Sequence, residues 1–365
     1  MRKKLLLLFS VLFGVSYIGI SIVASASDII WSKPVNLFTP SHAGAGAYYP
    51  RLIILHNGDW LAAYDTNDGD DHTRCQISRS MDQGRTWKVL ATASFGNGNA
   101  ANAQMIQLNS GDILLAYRLV DGDHKQLKIS RSRDDGATWS EWSIITEVSL
   151  SRQGVWEPHL GYLPDGKLAV MYASEAYQPD WPQVIEMKVS SDNGKTWSAP
   201  VRVSEKANSR DGMPVWTITK SGKVLAVFES SDDPQGTKPF MIRYKISSDG
   251  YHWPEERNML YYPERNVSRA AAPFVISMPG GTIVASAQVD YNLDNPGCTN
   301  MHVMVSDDEG NSWNMQAGPF LKQVDNLWNS LLALPGNQIL AATSTTQDGI
   351  PHILICIGKL KSKEP

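Results

Sequence analysis

Three cysteines in 365 residues, Cys75, Cys298 and Cys356, are too few and too far apart for a disulfide framework or a clustered metal site. An odd number cannot all pair, so buried thiols are expected, with one disulfide left open; no metal and no cofactor are expected. Cationic excess is also lacking. The chain carries 33 Lys and Arg against 37 Asp and Glu, a formal net charge of −4, which disfavours nucleic acid and anionic membranes as partners. Long apolar runs are absent beyond about residue 23, so no membrane span is expected in the body of the chain. What is present is ordinary for a globular protein: 42% hydrophobic residues over this length can bury a large core in one or two domains.

The first 26 residues stand apart. Arg2, Lys3 and Lys4 precede an apolar run from Leu5 to about Val23, and Ala24-Ser25-Ala26 supplies small residues for cleavage, the layout of an export signal. An uncleaved anchor is the alternative. Removing residues 1–26 would take the formal charge from −4 to −7, because the segment holds three cations and no acid. A secreted, monomeric protein is expected, with residues 27–365 forming one domain.

Self-similarity dominates that domain. The pattern Ser-x-Asp-x-Gly-x-Thr-Trp occurs at Ser80 to Trp87, Ser132 to Trp139 and Ser190 to Trp197, and two degenerate copies run from Ser247 to Trp253 and from Ser306 to Trp313. Their aspartates (82, 134, 192, 249, 308) lie 52, 58, 57 and 59 residues apart, the size of one four-stranded antiparallel sheet with its connections. Each copy joins two β-prone runs, so it reads as a hairpin turn in which Asp and Ser bond the backbone and Trp covers the sheet edge. A second repeat, two strands joined by a glycine turn, opens each unit and occurs six times, from RLIILHNGDWLAAYD to LLALPGNQILAATS. The sixth unit lacks a box and a last strand, and the orphan segment IIWSKPVNLF (29–38) resembles that missing strand. The fold predicted is all-β, a six-bladed β-propeller closed by the N-terminal strand completing the last blade.

The register of the glycine turns locates a candidate site. Seven residues beyond each turn lie Asp65, Arg118, Ala173, Glu229, Gln288 and Ser344, and nine before it lie Tyr49, Asn102, Glu157, Met213, Ala272 and Trp328. All are expected at one mouth of the central channel, opposite the boxes. Glu157 and Glu229 fall on neighbouring blades, and two facing carboxylates, one ionised and one protonated, are what glycosidic cleavage requires. Taken singly, Glu157 is equally read as an extended residue before a proline and Glu229 as a salt-bridge partner of Arg118.

Asp65, Arg118, Trp156, Tyr177, Tyr291 and Trp328 are the candidate substrate-binding residues, since aromatic rings suit the C–H faces of sugars. Trp181 and Trp216 are placed near the same face, about half of these aromatics being expected in blade cores. The run DTNDGDD (65–71) mimics the start of a calcium loop, but Gln76 stands where the bidentate glutamate belongs, so a solvated loop is expected.

With its boxes in place, the chain resembles the sialidase-like Asp-box propellers over essentially all of the mature sequence. Sialidases hold a substrate carboxylate with three arginines, the first in an Arg-Ile-Pro motif. The matching stretch here is Tyr48-Tyr49-Pro50-Arg51, with Tyr48 at the arginine position and Arg51 not required to face the channel. A closer resemblance is to glycoside hydrolase family 93, exo-acting α-L-arabinanases of similar length with two glutamates on neighbouring blades. Glu157 in WEP and Glu229 in VFES are similar to that pair. The resemblance implies retaining exo-hydrolysis of α-1,5-arabinan to arabinobiose without a metal, Glu157 being assigned as nucleophile and Glu229 as acid/base, with the exchange left open. An exo-sialidase and a non-catalytic glycan-binding propeller are the alternatives.

Overall fold

The computed structural model describes residues 28–69, 71–233, 239–263, 269–290, 299–320 and 325–361. The export-signal expectation for residues 1–26 and the positions of Tyr291 and Cys298 lie outside them.

Six antiparallel sheets stand around a central axis, and the first five read in sequence order from the inside outward. Blade one is typical, with strands Ala47–Ile54, Trp60–Thr66, Arg74–Ser80 and Lys88–Thr92. The innermost strands touch one another around the ring, the sixth against the first, so the circle closes. In blade six the outermost place is taken by Ile29–Trp31 and Val35–Phe38, which both pair with Ile350–Leu360. The N-terminal segment therefore supplies the strand the sixth repeat lacks and ties the two ends of the chain into one blade. Cys75 and Cys356 are buried free thiols.

Both faces of every blade are buried, which explains why the second strands are apolar without interruption. In blade one, Leu61 and Ala63 point into the layer shared with blade two, while Trp60, Ala62 and Tyr64 point into the layer shared with blade six. Alternation along a strand thus feeds two cores at once. Each fully buried leucine contributes roughly 1.5–3 kcal/mol.

The boxes close the outer hairpins. In the first, the Ser80 hydroxyl accepts the Gly84 N–H at 2.8 Å, and Asp82 accepts the backbone N–H of Thr86 at 2.9 Å and its hydroxyl at 2.6 Å. The boxes at Asp134 and Asp192 repeat these contacts. Gly84 has φ 82°, and a Cβ there would stand 2.8 Å from the ring of Trp60, so a side chain is excluded both by conformation and by space.

Candidate active site

The innermost strand of each blade carries one residue that breaks the ladder. Tyr49, Asn102, Glu157, Met213, Ala272 and Trp328 all have φ between 46° and 60°, and pairing with the second strand skips a step at each. These are the six positions nine residues before the turns. A left-handed non-glycine residue costs roughly 1–2 kcal/mol, and most of these bulges are held by a bond from the preceding blade. Asp65 accepts the Asn102 N–H at 2.8 Å, Glu229 that of Ala272 at 2.9 Å, Gln288 that of Trp328 at 2.8 Å, and Ser344 that of Tyr49 at 3.1 Å. These acceptors are the residues seven beyond the turns, so the two counted positions of adjacent blades latch together.

Blades two and three depart from this pattern. Arg118 has no acceptor to offer, and Ala173 has no polar side chain at all. The Met213 N–H on blade four instead lies close enough to the carboxyl group of Glu157 to lower its proton affinity slightly. Glu229 pairs through the backbone with Gly212, the residue before Met213, and its Oε1 would lie 3.4 Å from a Cβ on Gly212. Glu157 and Glu229 therefore flank one peptide, Gly212–Met213, and their charges act on each other. Burial, then the charge of Glu229, push the Glu157 carboxyl up to about 7 against the lowering effects of Arg210, Arg118 and the Met213 N–H. Its Oε2 is buried without a hydrogen-bond partner. Burial also pushes Asp65 up to about 7, opposed by the Asn102 N–H and Arg118.

Beside Glu229 a pocket of about 400 Å³ opens between blades four, five and six, lined by Arg210, Phe240, Arg269, Gln288, Asp290 and Asp325 among others; this volume is in the range of small-ligand sites. Arg210 donates to the Gln183 amide at 2.9 Å and lies over Phe240. Arg269 pairs with Asp290 at 2.6 Å. Of these, only Gln288 and Glu229 were singled out in the sequence. Counting three further back from the bulges Met213, Ala272 and Trp328 gives Arg210, Arg269 and Asp325, so the register already used carried the signal.

The other expected residues divide. Trp156, beside Glu157, receives the Arg118 guanidinium over its ring at 4.8 Å. Trp328 stands edge-on to Tyr48, with centroids 5.7 Å apart, and joins Tyr49, Met213 and Ala272 in an apolar plug on the axis. Tyr177 is drawn away from this group: its hydroxyl donates to Glu186 at 2.5 Å and Arg202 lies over its ring, both on the outer strands of blade three. The buried Glu186 carboxylate outcompetes the mouth for that hydroxyl. Trp216 is core between blades three and four. In the loop after Asp65, Asn67 and Asp68 bond Gly46 and Ser41.

Arg51 corrects the expectation that it need not face the channel. It is buried on the axis, stacked on Tyr49 at 3.7 Å and against Phe274 of blade five, and donates to the Trp328 carbonyl at 3.0 Å. The bulge at Tyr49 shifts the alternation by one and turns Arg51 inward.

Comparison with known proteins follows the architecture. Residues 22–150 and 120–209 match the BNR repeat-like domain. A sialidase of Bacteroides fragilis is 24% identical over 193 residues, half of this chain but only 28% of that protein, so the match spans less than a third of its length. Among solved structures, the Penicillium chrysogenum α-L-arabinanase complexed with arabinobiose superposes with a TM-score of 0.73 at 22% identity, covering 90% of this chain and 98% of that one. The GH93 α-L-arabinofuranosidase of Fusarium graminearum with arabinobiose gives 0.75 at 19% identity, over 90% and 97%. At such identities these likenesses speak for the shared fold. Its repeated boxes, its ring of six blades and the match over residues 22–209 make this chain a member of the BNR repeat-like domain family.

Proposed function

We propose that this protein is a glycoside hydrolase that cleaves α-1,5-linked arabinan from a chain end with retention of configuration. The observation that carries the reading is the Glu157 and Glu229 pair astride the Gly212–Met213 peptide, next to a pocket large enough for a short saccharide. The likeness in fold to the two arabinobiose complexes supports the choice of sugar.

The charge balance favours the exchange of roles that the sequence left open. A carboxyl held up to about 7 by burial and by its neighbour keeps its proton at mildly acid pH. Glu157 then donates that proton to the departing glycosidic oxygen. Glu229 has Oε2 engaged by the Ala272 N–H, which leaves Oε1 to attack the anomeric carbon as the C–O bond breaks. In the second half, Glu157, now ionised, takes a proton from water as the water oxygen displaces Glu229. Export of the chain, read from residues 1–26, belongs to the same proposal.

Linear α-1,5-arabinan incubated with the protein is expected to release arabinobiose whose first-formed anomer, followed by proton NMR, has the starting configuration. Absence of any released saccharide would sink the reading. A second reading, cleavage of an acidic sugar, is favoured by one observation: among the described residues Arg118 and Arg210 stand near Glu157 with an indole ring and an amide as neighbours rather than a carboxylate in ion-pair contact. A fluorogenic sialoside separates the two readings, since only this second one predicts its turnover.

A further inference from the structure

We propose that Gln183 is a positioning residue for Arg210: its buried side-chain amide holds the guanidinium so that the terminal N–H groups face the pocket beside Glu229, where they take the oxygens of a bound sugar residue. The inference rests on the proposed function only in calling that ligand a sugar.

Gln183 lies just before the third strand of blade three, Val184–Ser190, and is 1% exposed. Its backbone bridges to Arg210 at the start of blade four's first strand, Arg210–Ile218, and its carbonyl accepts the Asp211 N–H at 3.1 Å. The side chains repeat that link. The Gln183 amide oxygen accepts the Arg210 Nε–H at 2.9 Å, and the amide nitrogen donates to Glu175 Oε1 at 3.2 Å. A guanidinium can only donate and a carboxylate can only accept, so the group between them must offer both functions; among side chains of this length only glutamine does. The same pair of neighbours fixes which way the amide points.

Both ends of the chain of bonds are anchored. The Glu175 N–H donates to the Gly154 carbonyl at 2.9 Å, three residues before Glu157. Next to Arg210, the buried Asp211 carboxylate accepts Ser204 at 2.7 Å, Ser230 at 2.8 Å and Arg257 at 2.6 Å, which pins the backbone from which Arg210 projects. Gly212 completes the seat by having no side chain. A Cβ there would stand 2.5 Å from Gln183 Oε1 and 3.4 Å from Glu229 Oε1, so the amide and the glutamate rest against the same glycine.

One edge of the guanidinium is left for a ligand. Nε is engaged by the amide and Phe240 lies 5.3 Å from the guanidinium carbon, while the two terminal nitrogens have no hydrogen-bond partner among the described residues, and Arg210 lines the pocket together with Glu229. An edge held in this way presents paired donors in a fixed plane, suited to two neighbouring oxygens. Without the amide the long stem regains its rotamers, and the pairing must be bought back from entropy on binding.

The test begins without substrate. Exchange of the Arg210 Nε–H with water is followed by nitrogen-15 NMR in the full chain, the signal being assigned from its loss in Arg210→Lys. Gln183→Met keeps the volume and removes the acceptor, and is expected to quicken that exchange about tenfold, the equivalent of one hydrogen bond. Gln183→Glu, which restores an acceptor, is expected to return it to the original rate; Glu175→Gln, which still accepts from the amide nitrogen, is expected to leave it unchanged. Should the methionine variant fail to fold, Gly212→Ala dislodges the same amide from the other side and is expected to quicken exchange equally. On arabinan, Gln183→Met is expected to raise KM about tenfold with kcat little changed, since the guanidinium holds the sugar before and during reaction alike. Added to Arg210→Lys it is expected to change nothing further. An exchange rate that Gln183→Met leaves as it was, or that Glu175→Gln quickens as much, overturns the proposal, as does a KM that rises again in the double variant. A protein inactive on arabinan refutes the proposed function instead, and the exchange measurement then decides the positioning claim alone.

Discussion

The two faces of the ring use the same acidic side chains in opposite ways. On the outer hairpins, Asp82 and Asp192 lie in exposed turns, and hydrogen bonds from Thr86 and Thr196 hold each carboxyl down to about 2. At the channel mouth, burial raises Asp65 and Glu157 to about 7, although Asp65 accepts a backbone N–H. The difference is solvent rather than hydrogen bonding. A box carboxylate keeps water on one side and gains donors on the other, so its charge is favoured. A mouth carboxylate has lost its water and faces a second acid or an incomplete set of donors, so its proton is favoured. A carboxyl that is protonated near neutral pH can give a proton to a leaving group; one that is ionised down to about pH 2 can only tie a turn.

The largest expected break in this comparison comes from the glutamate pair. Glu157→Gln and Glu229→Gln are each expected to lower kcat on arabinan by roughly a thousandfold or more, without a fall in Tm, since each removes a buried acid and glutamine at 229 keeps an acceptor for the Ala272 N–H. Azide distinguishes the roles. Glu229→Ala with azide is expected to give a glycosyl azide of inverted configuration, and Glu157→Ala one of retained configuration. The opposite pairing of products would return Glu157 to the nucleophile's place. In the unaltered protein, kcat/KM is expected to fall as pH rises through about 7, where Glu157 loses its proton.

A smaller effect is expected in stability. The folded state binds the Asp65 proton more tightly than the unfolded chain does, with about 7 against an ordinary 3.8. Its contribution is therefore fully present below about pH 4 and is lost as pH rises through 7. Asp65→Asn removes that dependence while keeping an oxygen for the Asn102 N–H. Denaturant titrations at pH 4 and pH 8 are expected to show the variant gaining on the original by about 2–4 kcal/mol between the two. An equal difference at both pH values would mean that Asp65 is ionised throughout.

The fold was legible because each blade must solve the same problem twice over, burying both faces of a sheet and closing an outer hairpin, and the chain writes the solution as a repeat. The mouth was legible to the same depth: counting from the turns found Glu157, Glu229 and all six bulge positions. What the count could not supply was direction. Tyr177 lies on a rim loop as expected, but whether its hydroxyl turned inward depended on Glu186, a strand away. Arg51 was assigned by strict alternation, and a bulge two residues earlier, at Tyr49, reversed it.

The smallest effect sharpens the contrast from the other side. Ser132 is buried, accepts the Gly136 N–H at 2.9 Å and donates to Asp134 at 2.8 Å. Ser132→Ala removes both contacts and is expected to cost about 1 kcal/mol in denaturant unfolding, with kcat and KM on any substrate unchanged. The loss should be greater at pH 7 than at pH 2.5. Asp134 is lowered from its ordinary value by donors from Thr138 and Ser132, working against burial, so the part of its stabilisation that depends on Ser132 is present above about pH 4 and fades as the carboxyl protonates. That slope is opposite in sign to the one expected for Asp65. A box whose loss altered catalysis, or whose cost grew toward acid, would mean that the two faces are not divided in the way their solvent exposure implies.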